Sequence, residues 1–229
     1  MRERGNMMDL SKSYEFFQPE KVTERTHIIG CGSVGSTIAE NLARCGIKKM
    51  TLWDFDKVEA HNIVNQMFRQ QDVGKTKVEA LKDILLEINP DMEIKLKPKG
   101  WSGEMLSGYV FLAVDSVETR KEIVEQHMNN TTIKAMFDTR TLLTGAQLYA
   151  ANWAVYKSKS DFLNSMQFSH EEAAAETPLS ACGVTLGVAT TVRIAAALSV
   201  NNFIKFIKDG KLWKLFIFDG FNGMFDCFE

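Results

Sequence analysis

The sequence predicts an α/β protein with a Rossmann-like, doubly wound and mostly parallel sheet, helices on both faces and a few antiparallel late strands. Short apolar strands alternate with amphipathic helices along most of the chain. A glycine-rich turn, GCGSVG, joins the first strand to the first helix. The segments LWKLFIFDGF and GMFDCF follow the last predicted helix and read as closing strands. In such a fold a ligand lies beyond the carboxyl ends of the strands.

Each element follows from its local pattern. Residues 1–25 are mostly polar and are predicted to form an N-terminal arm or short helix whose few aromatic side chains dock on the remaining domain, 26–229. The expected helices cover 33–44, 77–88, 117–128 and 183–207, and the expected strands are THIIGC, KMTLWDFD, MEIKLKP, YVFLAVD, TTIKAMFD and GAQLYAANWAVY. Residues 157–182 have little apolar periodicity and are predicted to be a mobile crossover loop.

The composition excludes several classes of function. The chain has 229 residues, of which 45% are hydrophobic and 24% charged, as in one globular domain. Its formal net charge of −2 comes from interleaved signs, so no nucleic-acid or membrane partner is expected. The run GVTLGVATTVRIAAALSV contains Arg193, which favours a buried helix over a membrane span.

The expected location is the cytoplasm. The first residues lack the layout of a signal peptide. The four cysteines form no CxxC pair, so neither a disulfide framework nor a structural zinc site is expected.

The glycine-rich turn has the spacing of a phosphate-binding loop. Gly30, Gly32 and Gly35 fit G-x-G-x-x-G between a strand and a helix that begins at Ser33. The first glycine permits a tight turn, the second lets a ligand approach, and the third lets the helix pack closely on the strand. Asp54 ends the second strand and is suited to bind ribose hydroxyls. These features predict an adenine nucleotide and leave both NAD and ATP open.

The connection after the second strand favours ATP. It carries many cationic and amide side chains, namely Asn62, Asn65, Gln66, Arg69, Lys75 and Lys77, together with the carboxylate of Asp56. Such donors stabilise the charge that develops when a triphosphate is split. A nicotinamide cofactor needs no such set, and a solvated loop is the simpler interpretation for any one of these residues alone.

The same stretch identifies a resemblance. The glycine motif, DFDKVEAHN, the glutamine of NIVNQ, VGKTKVEA, INP and AVDSVETR occur in the order found in the ThiF/MoeB/HesA family of ubiquitin-activating-enzyme-like adenylyltransferases. The chain resembles this family over residues 26–155, and more loosely over the helix that follows Cys182.

The resemblance implies an activity. Members use ATP and Mg²⁺ to adenylate the C-terminal carboxylate of a small ubiquitin-like protein or peptide, and a homodimer is expected. By motif, Asp54 is implied to bind the ribose, Lys77 and Asn62 the phosphates, and Asp115 the magnesium ion. A carboxylate at a strand end suits this hard cation. The simpler interpretation of Asp115 is a cap on the helix that follows it, and the residue could serve both roles, with the magnesium role favoured.

The sequence also departs from the family pattern. Asn65 stands where the family has an arginine, and Arg69 or Lys75 is the candidate replacement. The zinc-binding CxxC pairs are missing, and only Lys12 lies near the place of the N-terminal arginine motif of dimeric relatives. These departures keep a nucleotide-binding scaffold without turnover as the second interpretation. An NAD-dependent oxidoreductase is the third.

Three further residues have open roles. Cys182 lies near the start of a helix, where a thiol pKa is lowered, and is either a nucleophile or a core residue. Arg140 follows a buried strand and is either a clamp for a carboxylate or a turn residue. His170 has no histidine near it in sequence, so a solvated loop is expected there rather than a metal site.

Overall fold

The structure is a computed structural model and describes residues 8–167 and 187–229. Within those ranges eight strands form one sheet, in the order β3-β2-β1-β4-β5-β6-β7-β8. The strands are β1 (Thr26–Ile29), β2 (Lys49–Trp53), β3 (Glu93–Lys97), β4 (Gly108–Leu112), β5 (Ile133–Thr141), β6 (Gly145–Asn152), β7 (Leu215–Asp219) and β8 (Met224–Phe228). The helices are α1 (Ser33–Arg44), α2 (Lys77–Ile88), α3 (Val117–His127), α4 (Tyr156–Asn164) and α5 (Ala189–Asp209).

The pairing of the strands confirms the predicted fold class. The pairs β1–β2, β1–β4, β2–β3 and β4–β5 are parallel. The pairs β5–β6, β6–β7 and β7–β8 are antiparallel. The strand order reverses between β1 and β4, which is the topological switch point where ligands bind in such sheets.

The sheet has one apolar core on each face. One core joins Leu42 of α1, Leu81 of α2 and Phe203 of α5 to the stacked rings of Phe111 and Phe137, whose centroids are 4.7 Å apart. Helices α3 and α4 cover the opposite core, which includes Ile29, Trp53, Leu112, Ile123, Trp153 and Phe162. The two layers hold the carboxyl ends of β1 and β4 side by side.

The N-terminal arm docks through one of its aromatic side chains. Phe17 is buried in the core beside α1, just before a short 3-10 turn at Pro19–Lys21. Tyr14 and Phe16 remain exposed, and the ring of Phe16 lies 3.5 Å from Nζ of Lys208. The arm was predicted to dock all of its aromatics, and in the described part only Phe17 is buried.

The crossover loop begins later than predicted. Residues from Tyr156 to Asn164 form α4, because Phe162 packs edge-on against Trp153 and the hydroxyl of Ser158 accepts a bond from the N–H of Asn152. Ser158 and Phe162 are the only buried residues of α4, which is too few to give a periodic pattern. The rest of the predicted loop, including His170 and Cys182, lies mostly outside the described residues.

No helix in the described ranges is both long enough and apolar enough to cross a membrane.

Candidate functional site

The three glycines of the turn each have a distinct structural reason. Gly30 has a φ of 92°, and a Cβ there would lie 2.6 Å from the carbonyl oxygen of Ala113. A Cβ at Gly35 would lie 1.9 Å from the carbonyl oxygen of Gly30, so α1 packs directly on the turn. A Cβ at Gly32 would have no atom within 4 Å. The turn is therefore tight at its first glycine, closely packed at its third and open at its second.

The open position lies at the start of α1. Gly32 is the N-cap residue, and no described side chain caps this helix end. The first-turn N–H groups, beginning at Ser33, therefore lack intrahelical partners and carry the positive end of the helix dipole. The turn from Gly30 to Gly35, together with the first-turn N–H groups of α1, is called the glycine cradle. It lies at the switch point and has the geometry and charge that fit a phosphate group.

Asp54 connects the cradle to β2. Its Oδ2 accepts a bond of 2.7 Å from the N–H of Cys31, and its Oδ1 accepts one of 2.8 Å from the N–H of Asp56. Burial raises the pKa of Asp54, while the two backbone N–H groups oppose that rise. A carboxylate oxygen can accept two hydrogen bonds, and each oxygen of Asp54 accepts one from the described residues. Both oxygens can therefore still accept a hydrogen bond from a ribose hydroxyl.

Lys77 provides a buried positive charge beside the cradle. It opens α2 and is 7% exposed, and its Nζ lies 2.6 Å from Oδ2 of Asp56, a half-exposed carboxylate. Burial raises the pKa of both Asp54 and Cys31, and the charge of Lys77 partly offsets that rise in each. The ammonium group is therefore close enough to act on the same turn.

Three amide side chains lie in the connection between β2 and α2. Oδ1 of the buried Asn62 accepts a bond of 2.9 Å from the N–H of Glu59. Nδ2 of Asn65 donates to the carbonyl of Gly187, at 3.1 Å. Oε1 of Gln66 is buried without a partner among the described residues. Asn62 and Asn65 thus shape the connection, whereas Gln66 retains an unused acceptor.

The two candidate replacements for the family arginine lie against acidic side chains. Arg69 contacts Asp72 at 3.0 Å and Glu87 at 2.8 Å. Lys75 contacts Asp72 at 3.2 Å and Asp83 at 3.3 Å. The burial of Asp72 acts to raise its pKa, but hydrogen bonds from Arg69 and Lys75 lower it. Both cations therefore tie the segment that precedes α2 to the helix itself. A phosphate-binding role for either cation stays a prediction.

Asp115 lies just beyond the carboxyl end of β4 and is exposed. It does not cap α3, because the hydroxyl of Ser116 does so by accepting a bond of 3.0 Å from the N–H of Thr119. The described residues contain no group of three or more metal-ligating side chains. A single free carboxylate fits magnesium, which takes one or two carboxylates and completes its octahedron with water and phosphate oxygens.

A buried charge cluster supports the turn before Asp115. Arg120 donates from Nε to the carbonyl of Val114, at 2.7 Å, and also forms an ion pair with Asp138, whose side chain is completely buried. Arg140 donates from Nε to the other oxygen of Asp138, at 2.7 Å. The sequence analysis missed Asp138, although an acidic residue in the apolar strand TTIKAMFD was a signal that it needs buried partners.

Arg140 is not the turn residue that the sequence allowed, and its role as a clamp for an incoming carboxylate stays a prediction. It lies within β5 and not in a turn. Besides Asp138, its guanidinium contacts the carbonyl of Ser165 at 2.8 Å and the ring of Tyr149 at 4.2 Å from the ring centroid. These contacts give it a structural role that joins β5 and β6 to the end of α4.

Comparison with known proteins assigns the family. The sequence model of the ThiF family matches residues 12–228. The chain belongs to the ThiF family. The resemblance drawn from the sequence motifs is therefore confirmed.

Curated relatives of this ThiF-family chain match a limited part of it. Ubiquitin-like modifier-activating enzyme 5 of Caenorhabditis elegans is 44% identical over 78 residues, which are 34% of this chain and 19% of that protein. The enzyme of the same name from Gallus gallus is 40% identical over 89 residues, 39% of this chain and 21% of that protein. The matched region thus spans about one fifth of the length of these relatives.

Solved structures share the fold over nearly the whole chain. Selenomethionine PaaA superposes with a TM-score of 0.70 at 20% identity, covering 96% of this chain and 68% of its own. Escherichia coli MccB with ATP has a TM-score of 0.68 at 19% identity, covering 91% of this chain and 64% of its own. MccB with AMPCPP and MccA matches equally, at 18% identity.

Proposed function

We propose that this chain is an ATP-dependent adenylyltransferase that activates the C-terminal carboxylate of a small ubiquitin-like protein or peptide. The observation that carries the proposal is the open glycine cradle at Gly32, flanked by the buried side chains of Asp54 and Lys77. Membership of the ThiF family supports it. Relatives named ubiquitin-like modifier-activating enzymes and the crystal structure of MccB with ATP support it as well.

Each residue has a defined task in the proposed reaction. The first-turn N–H groups of α1 and the ammonium of Lys77 bind the phosphates, and Asp54 orients the ribose. Asp56 holds Lys77 in place through their ion pair. Asp115 would provide the protein ligand for a magnesium ion, and that ion would supply positive charge to the phosphate oxygens.

The chemistry needs no protein acid or base. A carboxylate oxygen of the acceptor attacks the α-phosphorus of ATP, and the bond from that phosphorus to the bridging oxygen of the β-phosphate breaks. An acyl-adenylate forms and pyrophosphate leaves with the electron pair of that bond. Because the nucleophile is already ionised near neutral pH, the protein acts by positioning the reactants and stabilising the charge on the leaving group.

The proposed acceptor fits the apolar surface of the late strands. Exposure is high for Phe221 (84%), Met224 (57%), Phe225 (58%) and Phe228 (53%), and every residue of β8 is exposed. Because side chains alternate along a strand, Phe225 lies on one face of β8 and Met224 and Phe228 on the other, and exposed aromatic side chains of this kind are enriched in protein–protein contact sites. The names of the modifier-activating relatives and the structure of MccB with MccA support a protein or peptide acceptor.

Other expectations remain part of the proposal. We propose that the enzyme works as a homodimer, which light scattering would test. We also propose that it is located in the cytoplasm, which cell fractionation would test. Transfer of the acyl group to Cys182 stays a prediction, since this residue lies outside the described ranges. A thioester that survives in the wild type and is absent from Cys182→Ser would support it.

A second candidate is a nucleotide-binding scaffold without turnover. Asn65 replaces a cationic residue of the family pattern, and both Arg69 and Lys75 are engaged in ion pairs. If no other cation serves the triphosphate, binding would persist while the chemical step is lost.

ATP–pyrophosphate exchange separates the two candidates. The assay uses a panel of small ubiquitin-like proteins and peptides, each with a free and with an amidated C-terminus. The proposal predicts exchange only with a free carboxylate, and strong loss of exchange in Lys77→Ala. Binding of ATP without exchange for any member of the panel would favour the scaffold.

A further inference from the structure

The proposed triphosphate site lacks the cation that position 65 provides in the family pattern. The side chain of Asn65 is neutral and donates to the carbonyl of Gly187, two residues before α5 begins. Arg69 and Lys75 are both held by carboxylates of the α2 region. A compensating charge would therefore have to come from another element at this edge of the sheet.

The first turns of α1 and α5 lie at the same edge. α1 begins directly beyond the carboxyl end of β1, at Ser33. α5 begins beyond the carboxyl end of β5, where the hydroxyl of Thr191 donates to the carbonyl of Leu143, at 2.9 Å. β1 and β5 are parallel members of one sheet, and α1 and α5 pack against each other. Residues early in α5 therefore lie at the level of the glycine cradle.

Arg193 lies at this level and faces the connection that carries Asn65. Its side chain is exposed, and Nη1 lies 3.5 Å from the sulfur of Met67. The backbone N–H of Met67 donates to the hydroxyl of Ser36, at 3.2 Å, within the first turn of α1. One residue thus separates the guanidinium from the helix turn that forms the cradle.

The guanidinium of Arg193 is available for an anion. Its guanidinium donates to a thioether, which is a weak acceptor, and no carboxylate of the described residues pairs with it. An arginine fork binds phosphate oxygens in pairs and stays charged at every physiological pH. This is the reverse of Arg69, whose donors already face Asp72 and Glu87.

We propose that Arg193 binds the β- and γ-phosphates of ATP and replaces the charge that Asn65 lacks. The inference rests on the proposed function, since it assigns a further residue to the same nucleotide site. It also answers the observation that favours a scaffold without turnover, because the missing cation is supplied from α5.

Calorimetric binding of ATP and AMP, each with Mg²⁺, tests the assignment. The variants are Arg193→Ala, Arg193→Lys and the control Arg44→Ala, which removes an exposed arginine from the far end of α1 that pairs with Glu40. Because Arg193→Ala removes charge-assisted hydrogen bonds, it should bind ATP at least about tenfold more weakly than the wild type. AMP affinity should not change, Arg193→Lys should retain part of the ATP affinity, and Arg44→Ala should bind like the wild type.

Three results would overturn the assignment, and they are distinguishable. If the wild type binds ATP and Arg193→Ala binds it equally well, Arg193 has no such role while the proposed function stands. If Arg193→Ala loses AMP and ATP alike, the loss reflects damage to the fold and not a contact with the outer phosphates. If the wild type binds neither nucleotide, the proposed function itself fails.

A rescue variant tests whether an arginine at position 65 can provide the positive charge that Arg193 provides. Adding Asn65→Arg to Arg193→Ala should restore ATP affinity towards that of the wild type. A double variant that binds ATP as weakly as Arg193→Ala alone would contradict the replacement.

Discussion

Two glycines of the cradle, Gly32 and Gly35, are expected to respond in opposite ways to the same substitution by alanine. At Gly35 the new Cβ would lie 1.9 Å from the carbonyl oxygen of Gly30 and 3.2 Å from Cγ2 of Ile28. At Gly32 it would have no atom within 4 Å, and the backbone φ there is −73°. Gly35→Ala should therefore destabilise the fold, and Gly32→Ala should leave the fold intact and obstruct the ligand.

The magnitudes follow from these distances. The Cβ of Gly35→Ala falls about 1.5 Å short of ordinary contact with a backbone atom, so α1 must move away from β1. Such overpacking costs about 3 kcal/mol, which lowers the melting temperature of a chain of this size by about 6–12 °C. Gly32→Ala should change the free energy of unfolding by about 0.5 kcal/mol or less. Its methyl group would occupy the space of a phosphate, so ATP affinity should fall about tenfold or more.

Thermal unfolding and ATP calorimetry on both variants measure the two effects separately. The reasoning predicts an unstable Gly35→Ala protein and a stable Gly32→Ala protein that no longer binds ATP tightly. A Gly32→Ala protein with wild-type ATP affinity would refute the assignment of the cradle. A Gly35→Ala protein as stable as the wild type would refute the packing of α1 on the turn.

Two further predictions concern stability. Arg120→Ala should lower the free energy of unfolding by about 3 kcal/mol, because among the described residues the fully buried Asp138 would keep Arg140 as its one charged partner. Urea unfolding measures this loss, and an unchanged midpoint would contradict it. Acid should destabilise the fold through His27, since burial, aided by the charge of Arg25, lowers its pKa from 6.5 to about 4. The folded state binds the proton less well than the unfolded chain, so this contribution, about 3 kcal/mol, is complete above pH 6.5 and disappears as the pH falls towards 4. His27→Leu should flatten the dependence of the unfolding midpoint on pH over that interval, and an equally steep dependence would exclude His27 as its source.

The sequence predicted the elements whose signals are local. The helices expected at 33–44 and 77–88 have those bounds in the structure, because apolar periodicity and end signals such as the Asn-Pro stop after Ile88 agree there. The continuous apolar run of β4 is buried throughout, as expected for a central parallel strand. The tight turn at Gly30 and the close packing at Gly35 were also predicted, since each follows from the strand–turn–helix context.

The sequence did not reveal contacts that depend on packing between distant segments. Arg69 was a candidate for the phosphate site, but its pairing with Glu87 requires the fold to bring α2 beside it. Arg193 was noted only as a charge inside an apolar run, because its position over Met67 depends on the packing of α5 against α1. α4 was missed since a helix with two buried residues carries almost no periodic signal.

Calorimetric titration of ATP, with and without Mg²⁺, on the wild type and Asp115→Ala tests the central claim most directly. The account predicts ATP binding that is strengthened by Mg²⁺ in the wild type, and loss of that strengthening in the variant. NAD should bind more weakly than ATP to both. ATP binding that is independent of Mg²⁺ and equal in the two proteins, or preferential binding of NAD, would contradict the adenylation site proposed for this chain.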